Sequence, residues 1–357
     1  MSASGGGYER LAAALDALPH GYPKTSSGVE LLLLEKAFSP EEAALAGHLN
    51  RKPETVAEIS SRASMDEAET RATLENLVPR RLVLRLDEEG ENRYRLGPFM
   101  IGWYDANVRL LDKEFAELGA QYLGECDGER IFSPRPGLLG VVPVRGSLEP
   151  DQLQPHEDIN AHFNRHERFL VRDCACQREQ ELQTGQSGRM PMRRCGFEAL
   201  PPQTPLSENV LDRVAASSLL ADLEQEGLAH LAYYGYTEGA ETPEFVGTCN
   251  CSGHSCNVLR AVTQRGLTEG PQRSNYRAVI DPDECVSCGE CIERCPVQTI
   301  AQDEEMKAKV ARDGCIGCGV CVIGCASEAI ELVPVPENER FDVPHSMAQW
   351  EEMRFGQ

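Results

Sequence analysis

Cysteines are the residues in this sequence whose number and spacing could do chemistry. There are fifteen in 357 residues, and fourteen fall between Cys174 and Cys325. Eight form two sets of identical spacing: Cys285-x2-Cys288-x2-Cys291-x3-Cys295 and Cys315-x2-Cys318-x2-Cys321-x3-Cys325. Each cysteine of the first set has a counterpart 30 residues later, and Thr299-Ile300 and Ala329-Ile330 follow at matching offsets, so the segment is an internal duplication. In a reducing compartment such spacing reads as metal ligation rather than as a disulfide framework. A [4Fe–4S] cubane takes four thiolates, and in this spacing the fourth cysteine of each set ligates the other cluster. The expected ligand sets are Cys285, Cys288, Cys291 and Cys325 for cluster 1, and Cys315, Cys318, Cys321 and Cys295 for cluster 2. Structural zinc is the competing reading. Gly289, Gly314, Gly317, Gly319 and Gly324 are expected to let backbone N–H groups turn toward the sulfides.

Over about residues 275–335 this pattern resembles the bacterial two-cluster ferredoxin family. The resemblance implies two [4Fe–4S] clusters and single-electron transfer. One departure is that Pro296 follows the first set, whereas Ala326 stands in the matching place after Cys325. Between residues 275 and 335 acidic residues outnumber basic ones eleven to five, which predicts a redox partner with a basic docking surface.

Six further cysteines lie upstream: Cys174, Cys176, Cys195, Cys249, Cys251 and Cys256. In extended chain, residues i and i+2 face the same way about 6.6 Å apart, which suits Cys174 with Cys176, and Cys249 with Cys251, reaching one centre. The six are read as a candidate third site, another Fe–S cluster in the first instance. Structural zinc, a dithiol redox pair and buried free thiols are the alternatives. His254 is a loop histidine before it is a ligand. Cys126 stands alone and reads as an inert buried thiol. The region also resembles a group of bacterial and archaeal proteins that end in a 4Fe–4S dicluster and carry a Cys-x-Cys-Arg element and a Cys-Asn-Cys-rich loop. Here Gln177 replaces the Arg, and Ser252, His254 and Ser255 occupy cysteine places of the loop. That resemblance implies electron transfer and favours the retained six as ligands, but implies no substrate.

The elements that position these residues suggest a multidomain α+β chain. Residues 1–98 hold apolar helix candidates at 31–38, from Ser39-Pro40-Glu41-Glu42 to about 49, at 55–63 and at 65–79. A hairpin follows, turning at Asp87-Glu88-Glu89-Gly90. This order resembles a winged helix-turn-helix domain. The carboxylates of the recognition segment and wing tip argue against DNA, leaving docking or homodimerisation as its use. Residues 99–273 form a cysteine-rich α+β central domain. Helices are expected at 103–123, 158–166 and 210–228, strands at 169–171 and 229–236, and polar loop at 179–202. The ferredoxin-like fold occupies 274–335, and a tail, 336–357, is expected to pack on its own domain through Phe341, Trp350 and Phe355.

Composition narrows the functions. The formal net charge of -22 opposes phosphate backbones and anionic membranes. No apolar run reaches the length of a membrane span. The small polar N-terminus has no basic or apolar signal region, so cytoplasmic residence is expected. No Gly-x-Gly-x-x-Gly follows a strand and no Gly-x4-Gly-Lys-Ser/Thr occurs, so no nucleotide or flavin site is read. Three functions stand in order. The first is an iron–sulfur electron-transfer protein or subunit serving a redox partner enzyme, a component of an oxidoreductase system rather than a self-sufficient enzyme. The second is an oxidoreductase with catalysis at the central cysteines. The third is a redox-sensing winged-helix regulator.

Overall fold

The computed structural model describes residues 5–88, 90–107, 110–126, 129–153, 156–185, 196–235, 244–265, 270–341, 343–344 and 346–355. Two compact units divide the chain: Met1–Ile131 with Arg178–Ser187, and Phe132–Gln177 with Gly188–Gln357.

The first unit contains α1 (Gly5–Asp16), α2 (Val29–Ala37), α3 (Pro40–Ala46), α4 (Val56–Ala63) and α5 (Glu67–Leu77). The hairpin β1 (Val83–Glu88) and β2 (Glu91–Leu96) follows, then α6 (Tyr104–Ala106) and α7 (Lys113–Glu125). Local chemistry sets the helix starts. At α3 the Ser39 hydroxyl accepts the Glu42 N–H at 3.2 Å while the Glu42 carboxylate accepts the Ser39 N–H at 2.9 Å. Thr55 and Glu58 repeat this reciprocal cap at α4, and Asp66 accepts two N–H groups at the start of α5. The helix expected over 103–123 is two helices, because Asp112 accepts the Phe115 N–H at 2.7 Å and begins α7 afresh. Tyr22, Phe99, Trp103, Tyr104 and Tyr122 are fully buried and pack ring against ring at the centre of this unit.

A short helix α8 (Glu129–Phe132) spans the boundary between units. The second unit is built on β3 (Gly140–Val142), α9 (Ile159–Arg165), β4 (Arg168–Arg172), β5 (Gly196–Leu200), β6 (Val210–Asp212), α11 (Arg213–Gln225), β7 (Ala229–Gly235), β8 (Glu244–Cys251) and α12 (Asn257–Thr263), together with the first residues of α10 (Ala175–Thr184), whose remainder from Arg178 is counted with the first unit. The strands form one antiparallel sheet in the order β3-β7-β8-β5-β4-β6. Phe163 of α9 and Leu220 and Leu223 of α11 bury Phe169, Val171 and Phe197 on one face of the sheet. Phe163 stacks on Phe169 with ring centroids 4.6 Å apart.

Two expectations fail here. The polar stretch 179–202 is not all loop: α10 runs to Thr184, and β5 lies inside the sheet between β8 and β4. The helix expected from residue 210 starts at Arg213, because residues 210–212 pair with β4 and Asp212 then caps α11 through the Ala215 N–H at 2.8 Å.

The duplicated segment folds as β9 (Tyr276–Ile280), α13 (Glu290–Arg294), β10 (Ile300–Gln302), β11 (Ala308–Val310), α14 (Val320–Ile323) and β12 (Ile330–Pro334). The first strand of the first half pairs with the last strand of the second, and β10 pairs with β11. The backbone repeats as well: Ser287 and Gly317, Gly289 and Gly319, and Gln298 and Glu328 all have positive φ. The tail closes on its own unit as α15 (Met347–Phe355), with Trp350 buried and the Arg354 guanidinium donating to the Pro134 and Pro136 carbonyls at 2.8 and 2.5 Å. No helix among the described residues is long and apolar enough to cross a membrane.

A buried polar network braces the sheet behind the cysteines. Fully buried His230 on β7 contacts Asn250 Oδ1 through Nδ1 at 2.7 Å and Glu224 Oε1 through Nε2 at 3.0 Å. Arg145 closes on the other Glu224 oxygen at 2.8 Å. Burial alone would raise the Glu224 carboxyl, but His230 and Arg145 hold it at about 2, below its ordinary 4.5. A depressed carboxyl contributes stability above its unfolded value and loses it as pH falls toward the folded one. Glu224→Gln is therefore expected to lower the denaturant midpoint of the full chain at pH 7. The deficit against the native chain should shrink as pH falls from about 4.5 toward 2, where the native carboxyl also becomes neutral. A deficit independent of pH would contradict this.

Candidate metal centres

The strand pairing of the duplicated segment brings the eight C-terminal cysteines into two cavities. One is lined by Cys285, Cys288, Cys291 and Cys325, with Val286, Gly289 and Ala308. The other is lined by Cys315, Cys318, Cys321 and Cys295, with Pro296, Val297 and Gly319. Each encloses about 320 Å³, counting the space at its mouth. Each thus receives three cysteines from one half and the fourth from the other half. Four thiols around an otherwise apolar hollow fit a cubane, whose ligands are thiolates and whose sulfides take N–H donors.

The two cavities differ in depth. In the second, Cys295, Cys318 and Cys321 are buried, whereas in the first only Cys291 is, and Cys288 is exposed. Burial raises the Cys295 and Cys318 thiols and pushes Cys321 up to about 12. Such thiols give up their protons when metal binds, so loading this cavity releases protons. Cys285 is lowered instead, because the Ala308 and Ser287 N–H groups donate to its sulfur and Lys307 lies near. Backbone donors reach other sulfurs too: Ala278 N–H to Cys315 at 3.4 Å and Thr299 N–H to Cys295 at 3.3 Å.

Of the five glycines expected to turn the backbone, Gly289, Gly317 and Gly319 have positive φ. Gly314 and Gly324 do not. They are small for another reason: a Cβ would meet Thr299 Oγ1 at 2.3 Å and Arg294 Nε at 2.3 Å, respectively. Ser287 adopts the left-handed turn that Gly317 adopts in the second half.

Upstream, five of the six central thiols form one contact group. Cys176 contacts Cys174 and Cys256, and Cys251 contacts Cys249 and Cys256. Cys195 lies outside the described residues. Cys249 and Cys251 sit i, i+2 at the end of β8, as extended chain predicts. Cys174 and Cys176 do not. Cys176 is in the first turn of α10, and Cys174 stands just before it with its sulfur accepting the Gln177 N–H at 3.4 Å. That bond satisfies one of the unpaired donors of the helix start, so the pair is set by a helix cap rather than by a strand. The Cys176 and Cys251 thiols and the Leu259 N–H donate to Cys256 and hold it well below the ordinary thiol range, while Cys176 and Cys251 are raised. His254 is exposed. Cys126 is half-buried at the end of α7, in the first unit. Among the described residues no three Cys, His, Asp or Glu side chains converge as for a single metal ion, and that holds for the eight C-terminal cysteines as for the central five.

Sequence comparison decides the C-terminal segment. Residues 278–332 match the family described as 4Fe-4S dicluster domain. The match supports a 4Fe–4S ferredoxin-type domain at this end of the chain. The chain is also similar to a ferredoxin of Pyrobaculum islandicum, 47% identical over 34 residues, which is 10% of this chain and 32% of that protein. The chain therefore spans about a third of the length of that relative. No solved structure matches the chain.

The residues that sequence reasoning missed surround the cysteines. They are Glu224 and His230, which hold Asn250 between two thiols, and Lys307, which donates to the Cys285 carbonyl at 2.6 Å. A lysine 22 residues from Cys285 carries no signal of its own until β11 brings it back. A positive charge beside a cluster stabilises its reduced form. Taking about 0.2–1 kcal/mol for one exposed charge interaction, Lys307→Gln is expected to lower the potential of the cluster at the first cavity by roughly 10–40 mV in a redox titration followed by EPR. The potential at the second cavity should not move. An unchanged or higher potential at the first would contradict the assignment of Lys307.

Proposed function

We propose that this protein is an iron–sulfur electron carrier with three redox stations: two [4Fe–4S] clusters in the dicluster domain and a third Fe–S centre on the central cysteines. The observation that carries the third station is the contact group of Cys174, Cys176, Cys249, Cys251 and Cys256. Two chain segments far apart in sequence, residues 174–176 and 249–256, deliver thiols to one place, which chance burial does not explain. Cys285, Cys288, Cys291 and Cys325 ligate cluster 1, and Cys315, Cys318, Cys321 and Cys295 ligate cluster 2. The chain's own part is to supply buried thiolates, N–H donors to sulfur and exclusion of water. The clusters supply the one-electron chemistry.

The N-terminal helices and hairpin are read as a winged-helix-like docking module, not a DNA reader. Three of its arginines are engaged: Arg93 pairs with Glu88 and Glu91 at 3.3 and 3.0 Å, Arg85 with Glu75 at 2.9 Å and Arg62 with Glu54 at 2.5 Å. Phosphate contacts would have to displace these carboxylates. The redox partner presents a basic surface to the acidic dicluster domain. One observation favours a second reading, in which the central site is itself catalytic: the Cys176 and Cys251 thiols and the Leu259 N–H converge on the Cys256 sulfur and lower that thiol.

Anaerobically prepared full-length protein is expected to carry about twelve iron atoms per chain, four per cubane, against about eight for the dicluster domain alone. Metal analysis for iron and zinc together checks this. About eight irons with one zinc would overturn the third Fe–S centre and leave the dicluster intact.

A further inference from the structure

The central loop touches the dicluster domain at one ligand. Gly253, between Cys251 and Cys256, lies so close to the residue after Cys295 that a Cβ on it would fall 2.1 Å from the Pro296 carbonyl oxygen and 2.8 Å from its carbon. Both atoms are backbone, so only glycine fits without moving the loop. Two more contacts fix the same side. The Val144 N–H donates to the Cys318 carbonyl at 3.0 Å, and Arg294, beside Cys295, reaches the Glu224 and Gln225 carbonyls at 3.2 and 3.1 Å. The cavity of Cys295, Cys315, Cys318 and Cys321 therefore faces the central region.

The other cavity faces outward. Cys288 is exposed, and Val286 in its wall is 67% exposed. Asp281, Asp283, Glu284 and Glu290 surround this end and are solvent-facing.

From these contacts we infer an ordered electron path: the central thiol site exchanges electrons with the cluster held by Cys295, Cys315, Cys318 and Cys321, through the Gly253–Pro296 contact. The cluster of Cys285, Cys288, Cys291 and Cys325 is the port to a one-electron carrier protein with a basic face. Each hop moves one electron. One station is oxidised as the next is reduced, no bond is made or broken, and the carrier protein supplies or accepts the electron at the port. The inference rests on the reading of the central cysteines as an Fe–S site.

The test is EPR of the fully reduced full-length protein, with iron measured on the same samples. Magnetic interaction between two reduced clusters broadens and splits their signals and falls steeply with separation. Cys288→Ala removes the port cluster and Cys318→Ala the inner one, each taking iron from about twelve to about eight per chain. Splitting that survives in Cys288→Ala and vanishes in Cys318→Ala is the expected result. Splitting that survives in Cys318→Ala, or vanishes in Cys288→Ala, would overturn the order while leaving the three-cluster reading standing. A native chain with about eight irons would instead overturn that reading, and the path with it. Gly253→Val replaces no cysteine and covers the case in which a cysteine variant fails to assemble. With iron kept at about twelve, it should weaken the interaction of the central and inner clusters, and an undiminished interaction would overturn the role of this contact.

Discussion

Cys295 follows α13 in the first half of the duplication yet lines the cavity of Cys315, Cys318 and Cys321, and Cys325 makes the reciprocal crossing. Neither cavity can close unless both halves are folded against each other. The strand pairing serves that exchange, since β9 pairs with β12 and β10 with β11, so each ladder joins one half to the other. Metal binding to such sites is folding free energy, because no preformed site exists in the unfolded chain. The crossing also puts one cysteine of the inner cavity, Cys295, immediately before Pro296, where the central loop arrives. The dicluster domain and the sheet region are parts of one compact unit for this reason, with backbone contacts at Cys318 and Pro296 between them.

Behind the central thiols the sheet stores charge rather than hydrophobic volume. Asn250 points from between Cys249 and Cys251 to His230, which is completely buried and bound at its other nitrogen to Glu224. Breaking one partner of such a buried set leaves charge without compensation, a cost of about 3–5 kcal/mol. A network with that penalty fixes the rotamer of every member. It therefore holds the backbone of β8 in one register against β7, and with it the two thiols that flank Asn250.

Much of this was legible in the residues. Eight cysteines in register predict the two four-cysteine groups, and the structure lines one cavity with each. The capping signal at Ser39 locates one helix start to the residue. Other features were hidden for physical reasons. α10 is rich in Gln, Glu and Arg with little apolar periodicity, so its polar sequence reads as loop although the helix buries Gln177 and Glu179. β5 and β6 take their conformation from β4, a partner distant in sequence that no local pattern reveals. Cys174 and Cys176 look like a strand pair, but the N–H of Gln177 makes the first of them a helix cap. Gly253 carries no local signal of its role, a close approach that a side chain would block.

The central claim is that the thiols gathered at Cys256 form a redox station in series with the two clusters of the dicluster domain. Coulometric reduction of the anaerobic full-length protein counts stations directly, whatever their spectra. The account predicts uptake of about three electrons per chain, one per cubane. Uptake of about two, with the full iron of the dicluster domain present, would contradict it.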